Sequence, residues 1–183
     1  ASCSVRGWRL RAGWDLSRGE LTVTLHATYD HFSQIASKYR ELRSTDPEPV
    51  EYICSRLGAV PEIHAVDVGC GAGRYDSLLF QHLGEGLRLV CVDQNEAMLR
   101  ELTEYLVGER IVRFRTAAAP ADDLPVGSGS LDCVLTFNAI HHFPLRRFLE
   151  EARRVLRPGG TIFAYTRTRS QNARSVWGSH FPG

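Results

Sequence analysis

The stretch Val66-Asp67-Val68-Gly69-Cys70-Gly71-Ala72-Gly73 decides the fold of this 183-residue chain. An acidic residue stands near the end of an apolar run, and three glycines follow at alternate positions. Glycine there lets the backbone turn sharply and approach a ligand more closely than any Cβ allows. The run before it (Ile63, Ala65, Val66, Val68) reads as a buried strand, and Tyr75–Leu83 reads as a helix. Strand, glycine turn and helix in that order form the setting of a nucleotide-type cofactor site.

Spacing narrows the cofactor. A dinucleotide fingerprint, G-x-G-x-x-G, needs its third glycine at position 74, where Arg74 stands. The pattern is instead G-x-G-x-G with Asp67 just upstream. A carboxylate there is unfavourable for a pyrophosphate and attractive to a cationic ligand.

Outward from this loop, strands and helices alternate. Strands are expected at His64–Val68, Leu87–Asp93, Ile111–Thr116, Leu131–Phe137 and Thr161–Tyr165, and helices at Tyr75–Leu83, Glu96–Val107 and Leu145–Leu156. The last helix carries Leu145, Phe148, Leu149, Ala152, Val155 and Leu156 on one stripe, and Pro158-Gly159-Gly160 stops it. Upstream, residues 27–43 show helical spacing, and Asp46-Pro47 opens a second helix whose core face is Val50, Ile53, Cys54 and Leu57, ended by Gly58. Such alternation predicts an α/β protein with a doubly wound, Rossmann-like, mostly parallel sheet. The division expected is an unassigned arm over 1–24, cap or lid helices over 25–60, and a cofactor-binding core over 61–183. Ligands of such sheets bind outside the carboxyl ends of the strands, where the glycine loop, Asp93 and Asn138 fall.

Bulk properties exclude several classes. A formal net charge of +1 leaves no electrostatic footprint for nucleic acid or an acidic membrane. No apolar run approaches the roughly 20 residues that span a bilayer. The five cysteines (Cys3, Cys54, Cys70, Cys91, Cys133) are widely spaced without a C-x-x-C pair. They predict neither a disulfide framework nor a zinc site, and point to a reducing, cytoplasmic setting.

Further motifs add to the glycine loop. Asp93 ends the second strand, where a carboxylate accepts hydrogen bonds from both hydroxyls of a ribose. Asp93-Gln94-Asn95-Glu96-Ala97-Met98-Leu99 follows the pattern D-x-S-x-x-M-L, with Asn95 in the serine place. Ala121-Asp122-Asp123-Leu124-Pro125 precedes Ser130-Leu131-Asp132, and Arg154-Val155-Leu156-Arg157-Pro158-Gly159-Gly160 precedes the fifth strand. Together these motifs, over about residues 29–166, resemble the class I S-adenosylmethionine (SAM)-dependent methyltransferases. The wording is most similar to the ubiquinone/menaquinone-type and other small-molecule enzymes.

The resemblance implies SAM as cofactor, held by Asp67, Gly69, Gly71, Gly73, Asp93, Gln94, Met98, Asp122 and Asn138. Met98 reads equally as adenine contact or core packing. The acidic residue that relatives place before the alanine of A-E-D-L-P is Pro120 here, so Asp122 or a backbone carbonyl takes over adenine recognition. His141-His142 invites a general-base reading, but a structural role fits the pair better. Tyr29 and Tyr39 lie over the cofactor or pack in a lid. Relatives that methylate amino groups of nucleobases carry (N/D)-P-P-(Y/F) after the fourth strand, and this chain has Asn138-Ala139-Ile140-His141. A small-molecule acceptor methylated at carbon or oxygen is therefore expected, with no nucleic acid or membrane partner and no metal. No catalytic residue is singled out, because a sulfonium leaving group needs mainly alignment. The family continues past the fifth strand further than residues 166–183 allow, so a sheet truncated there is expected. Two rivals stand beside this reading: a non-catalytic SAM-binding module, and a nicotinamide-dependent oxidoreductase disfavoured by Arg74 and Asp67.

Overall fold

Mostly apolar runs build the centre of the molecule. The computed structural model describes residues 11–15, 20–24, 45–57 and 59–166. Within the stretch read as an arm, β1 (Arg11–Asp15) and β2 (Glu20–Thr24) pair antiparallel, with Arg11 opposite Thr24. The helix expected over 27–43, with Tyr29 and Tyr39, lies outside the described residues, as do Gly58 and residues 167–183.

From Thr45 onward the order is α1 (Glu48–Leu57), β3 (Ile63–Val68), α2 (Arg74–Leu83), β4 (Leu87–Asp93), α3 (Glu96–Gly108), β5 (Phe114–Ala118), β6 (Leu131–Phe137), α4 (Leu145–Val155) and β7 (Leu156–Tyr165). The last five strands form one sheet in the order β5-β4-β3-β6-β7, and every pair in it is parallel. The expected doubly wound, Rossmann-like architecture is the one observed. The order reverses at β3, whose neighbours are β4 on one side and β6 on the other. That reversal makes the carboxyl end of β3 the switch point.

Alternation along the strands sends residues to opposite faces. Ile63, Ala65, Leu87, Leu89, Cys133 and Leu135 pack with Val50, Ile53 and Leu57 of α1, Leu79 of α2 and Leu102 and Leu106 of α3. Val66, Val68, Val90, Val92 and Val134 face the other way, onto Phe148, Ala152 and Val155 of α4 and Leu124 of the preceding loop. Both faces are covered, which is what continuous apolar strands require.

Three expectations shift. β5 starts at Phe114 rather than Ile111, because the Ile111 N–H still closes the end of α3 on the Leu106 carbonyl (2.9 Å) and Arg110 takes a positive φ of 62°. The stripe on α4 is narrower than its sequence: Phe148, Ala152 and Val155 are buried, whereas Leu145 and Leu149 are 52% and 44% exposed. α4 also ends at Val155, before the Pro158-Gly159-Gly160 turn. Leu156 already pairs with Leu131, and the register shift before Cys133 and Thr161 absorbs Arg157–Gly160. Asp132 has an architectural task. Its carboxylate accepts the His64 N–H at 2.8 Å and pairs with Arg157 at 2.9 Å, fastening the start of β6 to β3 and β7.

Candidate functional site

The glycine loop leaves β3 at the switch point in a left-handed conformation, with φ of 74° at Gly69, 56° at Gly71 and 81° at Gly73. Two of these glycines also answer to packing. A Cβ on Gly69 would sit 2.4 Å from the Ala139 Cβ, and one on Gly73 2.9 Å from Leu102 Cγ. The loop folds back over β4, because the Gly69 and Cys70 N–H groups both donate to the Val92 carbonyl, at 2.8 and 3.1 Å.

Asp93 holds the loop from the other side. Its Oδ2 accepts the Gly71 N–H (2.9 Å) and its Oδ1 the Asn95 N–H (2.8 Å). A carboxylate offers about four acceptor positions, so room remains for an incoming hydroxyl donor. Burial raises the Asp93 pKa, opposed by the backbone N–H groups that point at it. Asn95 then starts α3 as its N-cap, accepting the Ala97 and Met98 N–H groups at 3.0 and 3.3 Å. An amide serves there as well as the serine of the motif would.

Beneath the loop lie two more carboxyls. Asp67 is 1% exposed, and its Oδ1 has no hydrogen-bond partner. Burial first, then Asp76 and Asp93, push its pKa well up. Asp76, on the inner face of α2, is fully buried; its Oδ1 accepts the Cys91 thiol at 3.2 Å, and its Oδ2 has no partner. Burial raises its pKa to about 7 against the opposing effect of the Cys91 hydrogen bond. Burial likewise raises the pKa of Cys70 and takes that of Cys91 to about 12, so both thiols stay protonated.

The expected site residues thus divide. Asp67, Gly69, Gly71, Gly73 and Asp93 converge on the loop. Met98 is 2% exposed and packs against Ala72 of the loop, and Gln94 is exposed just beyond Asp93. Asn138 follows β6 directly, with φ of 55°, and donates its N–H to the Tyr165 carbonyl at 2.7 Å. Asp122 is turned toward α4, where Arg147 Nη1 lies 3.7 Å away. His141 and His142 are exposed, with rings 4.0 Å apart and pKa values lowered by partial burial.

Sequence reasoning missed Asp76, although a signal existed: it shares a helical face with Leu79 and Phe80, three and four residues on. It also missed the join at the ends of β6 and β7. Tyr75 stacks on Phe137 with centroids 4.3 Å apart, and the Tyr165 hydroxyl donates to Asp46 Oδ2 at 2.6 Å. Asp46 Oδ1 meanwhile accepts the Glu48 N–H at 3.2 Å, capping α1. Long-range pairing of this kind leaves no mark in local sequence.

A cleft of about 460 Å³ lies at the opposite end of the sheet, among His64, Arg88, Arg113, Phe114, Val126 and Ser130. It contains none of the expected site residues. Because α/β sheets of this winding bind ligands at the carboxyl ends of their strands, the glycine loop remains the candidate.

Comparison with known proteins agrees with the geometry. The family model described as "Methyltransferase domain" matches residues 66–164. A thiol S-methyltransferase of Homo sapiens is 32% identical over 68% of this chain and 50% of its own length. A ubiquinone biosynthesis O-methyltransferase of Agrobacterium fabrum is 26% identical over 88% of this chain and 70% of its own. A tRNA (carboxymethyluridine(34)-5-O)-methyltransferase of Mus musculus is 29% identical over 91% of this chain but only 24% of its own length. The chain therefore spans from about a quarter to about two thirds of these relatives. Among solved structures, an S-adenosyl-L-methionine-dependent methyltransferase of Methanococcus maripaludis shares the fold with a TM-score of 0.61 at 15% identity, over 80% of this chain and 67% of that one.

Proposed function

The chain belongs to the class I SAM-dependent methyltransferases, and on that premise we propose that it transfers a methyl group from SAM to a carbon or oxygen atom of a small molecule by in-line displacement. The observation that carries this reading is the left-handed glycine loop hydrogen-bonded to Asp93 at the switch point. SAM supplies a methyl group already activated by its sulfonium. The residues present fit it: Asp93 has acceptor capacity for the ribose hydroxyls, and Gly69, Gly71 and Gly73 keep the backbone free of side chains beside them. Asp67 and Asp93 bring negative character to the end of the sheet that receives a cation. Gln94 would flank the adenine side and Asn138 would border the methionine and acceptor side, Met98 backs the loop, and Asp122 would have to turn from Arg147 to reach the adenine. The protein's main contribution is to align nucleophile, methyl carbon and sulfur, an effect worth on the order of 7–11 kcal/mol.

A small-molecule acceptor agrees with the formal net charge of +1, which gives no attraction to a phosphate backbone. Sulfur is the second reading, because a thiol-methylating relative has the highest identity of the three compared. A cytoplasmic setting accords with Cys54, Cys70, Cys91 and Cys133 all being free thiols. Among the described residues, no helix is long and apolar enough to cross a membrane.

Two measurements test the proposal in sequence. Calorimetric titration with SAM, S-adenosylhomocysteine and NADH is expected to give micromolar binding of the first two and none of the third. Labelled-methyl transfer is then followed to a quinol, an alkyl thiol and a bulk tRNA. Label on the quinol supports the reading, and label on the thiol alone moves the acceptor to sulfur. Label on tRNA alone overturns the small-molecule assignment, and binding without transfer to any acceptor favours a non-catalytic SAM-binding module.

A further inference from the structure

Two buried carboxyls with an orphaned oxygen each are an unusual feature at the base of a ligand loop. Buried polar atoms nearly always find partners, and a lone buried charge is costly. Asp67 reaches this place from β3 and Asp76 from α2, with Oδ1 of the first and Oδ2 of the second unpartnered. Among the described residues, no arginine, lysine or histidine shifts the titration of either. The groups that do are Asp93 and Cys91 of β4 and Cys70 of the loop. From β6, Cys133 feels Asp67. The other neighbours are apolar: α1 turns Val50, Ile53 and Leu57 inward, and α3 turns Leu102 and Leu106. The region under the loop thus brings together three carboxyls with no cationic side chain among the described residues, and two like charges that close do not both ionise.

Resting on the reading of this site as a SAM site, we propose that Asp76 is a positioning residue which, with Asp67, holds a proton beneath the glycine loop, releases it to solvent when SAM binds, and takes one back when the product replaces SAM. The chemistry of the two ligands supplies the difference. SAM carries a sulfonium, an ammonium and a carboxylate; S-adenosylhomocysteine has lost the sulfonium charge and is a neutral thioether overall. Only SAM adds a positive charge above the carboxyls, and an added cation favours their ionised form. No covalent step is involved, and the proton exchanges with solvent.

The direction of the pH effect follows. In the free protein Asp76 takes up its proton near pH 7, held there chiefly by burial. Below that pH, SAM must expel the proton to bind; above it, the site is already ionised. SAM affinity therefore rises as pH rises toward 7 and then levels, while affinity for S-adenosylhomocysteine stays nearly flat. The consequence is selectivity for substrate over product that grows with pH.

The experiment uses the whole chain. SAM and S-adenosylhomocysteine are each titrated calorimetrically at pH 6.5 in two buffers of different ionisation enthalpy, then across pH 5.5 to 8.5. A buffer-dependent enthalpy for SAM, absent for the thioether, is expected, with SAM affinity rising about tenfold per pH unit at the steepest point. Equal proton release with both ligands, or none with SAM, overturns the proposal while leaving SAM binding intact. Failure of either ligand to bind instead overturns the reading on which it rests. Asp76→Asn should hold SAM at every pH with the weaker affinity the wild type shows at low pH, and lose the buffer dependence. Should that variant not fold, the wild-type buffer comparison decides alone.

Discussion

The two ends of the sheet hold the same kinds of charged residue and use them in opposite ways. At the amino end every carboxylate of note has a counter-ion in the protein. Glu62 meets Arg88 at 2.7 Å, Glu85 meets Arg113 at 2.7 Å, and Asp132 meets Arg157 at 2.9 Å. At the carboxyl end Asp67, Asp76 and Asp93 take part in no ion pair among the described residues, although they are far more buried. Solvated pairs of the first kind contribute little to stability. Unpaired buried carboxyls of the second kind cost stability, and a fold keeps them where a ligand supplies the missing charge. The site is legible as a deficit of countercharge rather than as a concentration of charge.

The largest effect expected at the carboxyl end is on Asp93. Asp93→Ala removes a partner of the Gly71 N–H and the acceptor of the ribose, and SAM affinity should fall on the order of 100-fold or more by calorimetry. A variant that binds SAM normally would break the assignment of this end as the site. Next, Gly69→Ala places a methyl 2.4 Å from Ala139 Cβ at a φ of 74°. It should cost about 3 kcal/mol in denaturant unfolding, by overpacking and backbone strain together.

Asp76→Asn sharpens the comparison through pH. Its folded-state pKa, about 7, lies above the ordinary carboxyl value, so the folded state holds the proton more tightly than the unfolded chain. The stability this contributes is complete below about pH 4 and is lost as pH rises to about 7. The asparagine variant has no such loss and should gain on the wild type by about 4 kcal/mol between those limits, roughly three units of pKa at about 1.4 kcal/mol each, measured as parallel unfolding curves. The smallest effect belongs to the amino end. Arg88→Ala breaks an exposed pair, and its thermal midpoint should match the wild type at every pH tested. A clear loss there would erase the contrast.

Legibility followed burial. β4 and β6 are readable to the residue, since Leu87–Asp93 and Leu131–Phe137 are mostly apolar runs, each broken by only two polar residues, that fill both faces of a central sheet. β5 is an edge strand whose residues are only partly covered, so its pattern was weak and its start slipped by three positions. The glycine loop and Asp93 announced themselves because backbone geometry demands glycine and a strand end exposes its last carboxylate. Asp76 stayed hidden because a carboxylate beside the polar Arg74 reads as solvated, although its helical face is the inner one. Asp46 and Tyr165 were out of reach for another reason: their bond spans 119 positions.

The position of β3 also sets an order of assembly. One neighbour, β4, follows it within some two dozen residues. The other, β6, joins only across the 68 positions that separate His64 from Asp132. During synthesis the β3–β4–β5 half can pair early, while one edge of β3 stays bare until Phe137 has left the ribosome. Distant parallel pairing of this kind is slow, and a bare apolar edge invites other chains. Covering that edge of β3 coincides with the arrival of Ala139 against Gly69, so a nascent chain completes the packing of its glycine loop only as its central strand is enclosed.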